Sequence, residues 1–123
     1  MNSLLTLTAV IESATGLALM TMPSLVVRLL LGAEISGASI PLGRVAGFGL
    51  LSLGVACWPG GDVSDTRAAL RAMLTYNSLA TFYFSCLVIA GEWVGRLLWP
   101  ALLLHGALTV LLVRKWRLED TAP

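Results

Sequence analysis

Residues 40–58 read IPLGRVAGFGLLSLGVACW, and their one charged residue is Arg44. The hydrocarbon core of a bilayer is about 30 Å thick and takes about 20 helical residues to cross. The run has that length, and the turn-forming residues Pro59, Gly60 and Gly61 follow it directly. We therefore predict a transmembrane helix over residues 40–58.

Three more apolar runs of spanning length flank this one, at residues 4–22, 66–90 and 93–113. Residues 24–32 are also apolar but too short to span, so we predict a short interfacial helix there, after the first span. The predicted fold class is an all-α integral membrane protein. It is a four-transmembrane-helix bundle with that interfacial helix, in a single membrane domain that covers residues 1–123.

The fourth run contains a proline, Pro100. A proline ring fits the first turn of a helix, but it breaks or kinks a helix interior. Two interpretations stay open: either Pro100 lies in the first turn of a helix that starts near residue 97, or it kinks the run.

Composition supports a membrane environment. The 123-residue chain is 57% hydrophobic and 12% charged, whereas soluble domains carry about 25% charged residues. The net charge of +1 argues against a nucleic-acid partner.

Cys57 and Cys86 fall in apolar runs without a metal-binding spacing, so we expect both to be small buried apolar side chains. The first residues lack the basic region of a signal peptide, and we expect the first run to be retained as a helix.

Basic residues beside the spans predict the orientation. One side of a four-span bundle carries Arg67, Arg71, Arg114, Lys115 and Arg117. The other side carries Arg28, Arg44 and Arg96. Because cytoplasmic loops are rich in Lys and Arg, we predict that the N-terminus and the tail, residues 114–123, are both cytoplasmic. The composition associates the chain with a bacterial inner (plasma) membrane.

Four polar residues lie within the predicted spans: Glu12, Arg44, Asn77 and His105. A charged residue at the centre of a membrane helix costs about 2.5 to 3.5 kcal/mol, so these side chains should face the bundle interior and find partners. They form either an internal hydrogen-bonded or ionic network, or the lining of a proton path, a substrate cavity or a headgroup site. Whether Glu12 pairs with Arg44 depends on the helix rotations.

Small residues predict where helices approach closely. They are Ser13 and Gly16 in the first run and Gly43, Gly47 and Gly54 in the second. In the third run Tyr76 and Tyr83 share one helix face, a spacing typical of packing.

The motifs of common soluble enzymes are absent from the sequence, including phosphate-binding loops, GxSxG, HExxH and dinucleotide fingerprints. The sole histidine, His105, has no cysteine or second histidine with which to share a metal. We therefore predict no metal site and no catalytic residue. A bound quinone or lipid stays possible as a ligand, because His105 can hydrogen-bond a quinone carbonyl.

One local pattern extends over the first two spans. The first run ends at Met22-Pro23, residues 29–32 read LLLG, and residues 42–54 read LGRVAGFGLLSLG, with an arginine before spaced glycines. In this layout the chain resembles small bacterial four-helix membrane proteins of the DoxX-like kind. Some members of that group are linked to membrane redox or quinone-associated complexes, so the resemblance implies the fold and a partner of that kind.

Residues 9–16 read AVIESATG and place a glutamate in the first span. This is similar to small multidrug-resistance transporters, whose first helix carries an essential glutamate. The chain departs from them in its amphipathic first loop and in Arg44. The resemblance implies a proton-coupled transporter that acts as a homodimer, with Glu12 as the exchanging carboxylate.

Three functions therefore stay open. The favoured prediction is a non-catalytic accessory or scaffold subunit that packs against other membrane subunits or against itself. The alternatives are a quinone- or lipid-binding protein, with the four polar residues around the headgroup, and the homodimeric transporter.

Overall fold

A computed structural model describes residues 3–121, and within that range the chain forms five α-helices and no strand. The helices are α1 (Ser3–Thr21), α2 (Pro23–Leu31), α3 (Ser39–Ala56), α4 (Val63–Ala90) and α5 (Leu98–Asp120). All except α2 are long and apolar enough to cross a membrane. The predicted fold class is confirmed, and the chain is a multi-pass membrane protein in contact with lipid.

Proline and glycine set several helix boundaries. Pro23 is the first residue of α2, where a missing backbone N–H costs nothing. Gly32 ends α2 and Gly91 ends α4 with φ angles of 70° and 74°, in the left-handed region that glycine adopts without strain. The short helix predicted over residues 24–32 is thus α2.

Helix α5 is displaced along the sequence from the predicted fourth span, residues 93–113, and it begins only at Leu98. Pro100 lies in its first turn, as in the first of the two interpretations above. Residues 114–120 of the predicted tail continue the helix, and residues 122–123 lie outside the described range. Two ion pairs lie on this extension: Lys115–Glu119 at 3.8 Å, one helical turn apart, and Arg67–Asp120 at 3.0 Å.

The helices form two groups. Helix α1 packs closely against α3, with α2 beside them, and α4 packs against α5 as a hairpin. The two groups meet at the end that holds the start of α1 and the end of α5. There, a core of buried side chains joins them: Leu5, Ala9, Cys57, Leu70, Met73 and Leu112.

At the opposite end, backbone hydrogen bonds join α2 to the loop between α4 and α5. The Gly95 N–H donates to the Leu30 carbonyl at 3.0 Å, and the Leu97 N–H donates to the Leu29 carbonyl at 2.8 Å. These bonds satisfy carbonyls at the end of α2 that have no partner within the helix. A Cβ atom on Gly95 would overlap the Leu29 carbonyl oxygen, so only glycine allows the two backbones to come this close.

The outer surface of the bundle is apolar. Leu42, Val45 and Phe48 are among many large apolar side chains that are at least half exposed, as expected for side chains that face lipid. Trp58, Trp93 and Trp99 are each about half exposed near helix ends, where tryptophan favours the headgroup level.

The two cysteines differ. Cys57 is buried, and its Sγ donates to the Ala69 carbonyl at 3.7 Å. Burial raises the pKa of the Cys57 thiol. Cys86 is exposed, so the prediction of two buried cysteines is wrong for it. Cys86 lies on the outer face of α4, where lipid provides the apolar surroundings that a thiol favours.

Candidate ligand cavity

A cavity of about 700 Å³ lies between the α1–α2–α3 group and the α4–α5 hairpin. This volume is within the range of small-molecule binding sites, about 300 to 1,000 Å³. Most of its wall is apolar and comes from both groups, including Ile11, Leu19, Val27, Leu30, Leu50, Leu53, Leu97 and Leu104.

Small residues on α3 leave room for this cavity. Ala46 and Gly49 line it, and a Cβ atom on Gly49 would meet nothing within 4 Å. Gly47 and Gly54 on the same helix lie instead against α1. Helix α3 therefore presents one glycine-lined face to its neighbour and another small-residue face to open space.

The predicted packing residues lie where helices meet. A Cβ atom on Gly16 would lie 2.7 Å from the Gly47 carbonyl oxygen and 2.6 Å from the backbone nitrogen of Leu51. Gly54 lies against Ser13 in the same α1–α3 contact, and a Cβ atom on Gly43 would lie 3.0 Å from the side chain of Pro23 in α2. The distances at Gly16 are possible only where the backbones of α1 and α3 approach without side chains between them.

The polar part of the cavity wall centres on His105. Its side chain is 8% exposed, and its Nδ1 lies 2.8 Å from Oδ1 of the buried Asn77. Asn77 Nδ2 donates in turn to the Met73 carbonyl at 2.9 Å. The pair therefore joins α5 to α4 in the interior of the bundle.

Two aromatic rings fix the orientation of the imidazole. Tyr76 and Phe84 meet the His105 ring edge-on, with centroid distances of 5.8 and 5.5 Å. All three side chains line the cavity. The sequence predicts one shared packing face for Tyr76 and Tyr83, but the two residues differ in the structure. Tyr76 lines the cavity, whereas Tyr83 is exposed.

Glu12 is 1% exposed, and its Oε1 has no hydrogen-bond partner. Its neighbours on α1, Ile11 and Thr15, line the cavity. Glu12 thus belongs to the stretch of α1 that borders the cavity, but it is not one of the lining residues.

Arg44 is separate from this group. It is exposed, and among residues 3–121 no ion pair joins it to Glu12. The physical reason is the rotation of α3, which is fixed by the packing of Gly47 and Gly54 against α1. That rotation directs Arg44 outward, so of the four predicted polar residues the structure joins only Asn77 and His105 by a hydrogen bond.

Phe84, Thr15 and the cavity position of Tyr76 were not predicted from the sequence. Tyr76 and Phe84 lie two helical turns apart on one face of α4, but many apolar pairs in the spans have such spacing.

Within the described residues, no group of three or more His, Cys, Asp or Glu side chains could hold a metal.

Comparison of the chain with protein-family models, with curated proteins and with solved structures gives no match.

Proposed function

We propose that this protein binds a lipid-soluble small molecule, a quinone or a lipid, in the cavity between its two helix groups. The observation that carries the proposal is the cavity itself. It is large and walled mainly by apolar side chains, with His105, Tyr76 and Thr15 as its polar residues. An apolar pocket with a few convergent polar groups is the usual form of a small-molecule site.

The wall composition favours a ligand that already resides in the bilayer. The cavity lies at the depth of the spanning helices, and none of its lining residues is Lys, Arg, Asp or Glu. A charged, water-soluble molecule would lose its hydration there without gaining a counter-charge. A molecule with an apolar body and one small polar group matches both parts of the wall.

A cavity-filling variant tests the proposal. Gly49→Leu adds a side chain where a Cβ atom meets nothing, so we expect it to occupy the cavity without disturbing the helix contacts. Ser52→Leu, on an exposed face of the same helix, adds a similar apolar volume outside the cavity.

The measurement is native mass spectrometry of protein extracted from its own membrane in mild detergent. We expect a bound small molecule on the unmodified protein and on Ser52→Leu, and its loss from Gly49→Leu. Equal occupancy in both variants, or an unmodified protein that carries nothing, would refute the proposal.

The accessory-subunit role stays a prediction, and the same extraction tests it. A reproducible set of larger subunits that co-purify would support that role, and with it the partner that the DoxX-like resemblance implies. The cavity makes ligand binding the better supported function, because a single copy of this chain forms the cavity without a partner subunit.

The orientation is also part of the proposal. The start of α1, the connection from α3 to α4 and the end of α5 lie at one end of the bundle, where the core cluster joins them. Most of the basic residues flank this end, so we place it in the cytoplasm of a bacterial cell, with the bundle in the inner membrane.

A further inference from the structure

The hydrogen bonds of Asn77 fix where the imidazole of His105 carries its hydrogen. The Met73 carbonyl can only accept, so the amide nitrogen of Asn77, 2.9 Å away, is the group that faces it. The amide oxygen is then the atom 2.8 Å from His105 Nδ1. Because an amide oxygen only accepts, Nδ1 must be the donor.

A neutral imidazole with its hydrogen on Nδ1 has a lone pair on Nε2. Nε2 has no hydrogen-bond partner among the described residues, although His105 as a whole residue is more than nine-tenths buried. His105 lines the cavity, and Nδ1 on the other edge of the ring is already bonded to Asn77. The cavity wall therefore offers an unused hydrogen-bond acceptor.

We infer that the ligand presents a hydroxyl group to His105 Nε2, so that the site selects lipid-soluble hydroxyl compounds over carbonyl or ether compounds of the same shape. This inference rests on the proposed ligand-binding function and adds the chemistry of the ligand. Two classes of compound carry such a hydroxyl group: aromatic hydroxyl compounds, such as phenols and quinols, and the aliphatic alcohols of lipids.

A hydroxyl ligand replaces the quinone carbonyl that the sequence suggested as the partner of His105. It also narrows the proposed quinone or lipid to a hydroxyl-bearing form, a quinol or a lipid alcohol. A carbonyl oxygen brings only lone pairs, and these would face the lone pair of Nε2. The Tyr76 hydroxyl can both donate and accept, so it tolerates either kind of ligand. His105 is therefore the residue that discriminates between them.

A matched pair of probes tests this selectivity. 4-Decylphenol and 4-decylanisole have the same ring, tail and oxygen. The anisole carries a methyl group on that oxygen in place of the hydrogen, so only the phenol can donate a hydrogen bond. In lipid nanodiscs we expect the phenol to bind about tenfold more tightly, since the ether leaves the lone pair of His105 Nε2 without a partner. 1-Decanol and decyl methyl ether form the equivalent aliphatic pair and identify which source of hydroxyl the site prefers.

Histidine labelled with ¹⁵N provides a direct readout, because the chain contains a single histidine. Before ligand is added, we expect one protonated ring nitrogen and one with a free lone pair. Addition of 4-decylphenol should shift the resonance of the unprotonated nitrogen, and 4-decylanisole should leave it nearly unchanged.

Two variants connect the selectivity to the Asn77–His105 hydrogen bond. Asn77→Leu removes the acceptor that holds the hydrogen on Nδ1, and we expect it to lose the preference for the phenol while it still binds both probes. Thr109→Val, one turn along α5, is the matched control and should keep the preference.

The outcomes separate this inference from the proposed function. Equal binding of phenol and anisole, or a ¹⁵N spectrum with the hydrogen on the ligand-facing nitrogen, overturns the inference and leaves ligand binding intact. Binding of no probe by the unmodified protein overturns both. Since the spectrum is taken on the unmodified protein, the inference stays testable if Asn77→Leu fails to fold.

Discussion

The two helix pairs of this bundle associate in different ways. Helices α1 and α3 approach through Gly16, Gly47 and Gly54, where the backbones are in direct contact. Helices α4 and α5 are joined by side chains: Asn77 with His105 and, at 3.4 Å, the hydroxyls of Thr81 and Thr109. Lipid gives no hydrophobic force between helices, so close packing and hydrogen bonds are the means of association that remain.

The comparison shows what each kind of interface can do besides hold helices together. A backbone contact between glycines leaves no polar group that could be used for binding. A side-chain hydrogen bond in the bundle interior fixes the orientation of a ring whose other edge is still available. The imidazole of the cavity wall lies on the α4–α5 side for this reason.

The largest effect is expected at the α1–α3 contact. Gly16→Leu places a side chain against the backbone of Gly47 and Leu51, which cannot move aside without separating the helices. We expect a loss of about 3 kcal/mol in the free energy of unfolding, measured by SDS titration in mixed micelles. Ala14→Leu, on the exposed face of α1, is the control and should change stability little. A stable Gly16→Leu protein would refute the close approach of α1 and α3.

A smaller effect is expected at the α4–α5 pair. His105→Leu leaves the amide oxygen of Asn77 without its partner, and we expect a loss of about 1 to 2 kcal/mol in the free energy of unfolding. The double variant with Asn77→Leu should cost less than the sum of the two single changes, with a coupling of about 0.6 to 1.7 kcal/mol. Strict additivity would mean that the two side chains do not interact.

Glu12→Gln distinguishes an unpaired carboxyl group from an ion pair. Because the structure places no cation at Glu12 within the described residues, we expect a change of less than about 1 kcal/mol in the free energy of unfolding. Loss of a buried ion-pair partner would instead cost about 3 to 5 kcal/mol.

The same Glu12→Gln variant tests the transporter hypothesis. If the protein transports small molecules in exchange for protons, transport in proteoliposomes should cease while the variant remains folded. Unchanged transport would exclude Glu12 as the exchanging group.

The smallest effect is expected at Thr109. Thr109→Val removes the contact with the Thr81 hydroxyl at 3.4 Å, but Thr81 keeps its bond to the Asn77 carbonyl at 2.7 Å. We expect a loss of about 0.5 kcal/mol or less by the same SDS titration. A loss as large as that of His105→Leu would show that the hydroxyl pair, and not the buried amide, joins the two helices.

The sequence predicts the α1–α3 pair better than the α4–α5 pair, for a physical reason. Only glycine allows direct backbone contact, so the small residues Ser13, Gly16, Gly43, Gly47 and Gly54 predict helix packing from the sequence, and the structure places Gly16, Gly47 and Gly54 in the α1–α3 contact. The partner of His105 depends instead on how far α5 slides along α4, which residues 91–97 determine. No local pattern encodes that displacement, and the predicted start of the fourth span at residue 93 reflects this.

The cavity could not be predicted for a related reason. It arises because two helix groups are joined at both ends and apart in the middle, and each group is regular in itself. Arg44 shows the same limit: its charge predicts an interior position, but the glycine face of α3 determines the rotation and turns it outward.

The backbone hydrogen bonds between α2 and the α4–α5 loop have an evolutionary consequence. Leu30 and Leu97 take part in them only through main-chain atoms, and both side chains line the cavity. Substitutions at these two positions can therefore change which ligands fit the cavity while the backbone hydrogen bonds stay intact, provided that Gly95 is kept. Part of the binding surface can therefore diverge between descendants of this protein without loss of the fold.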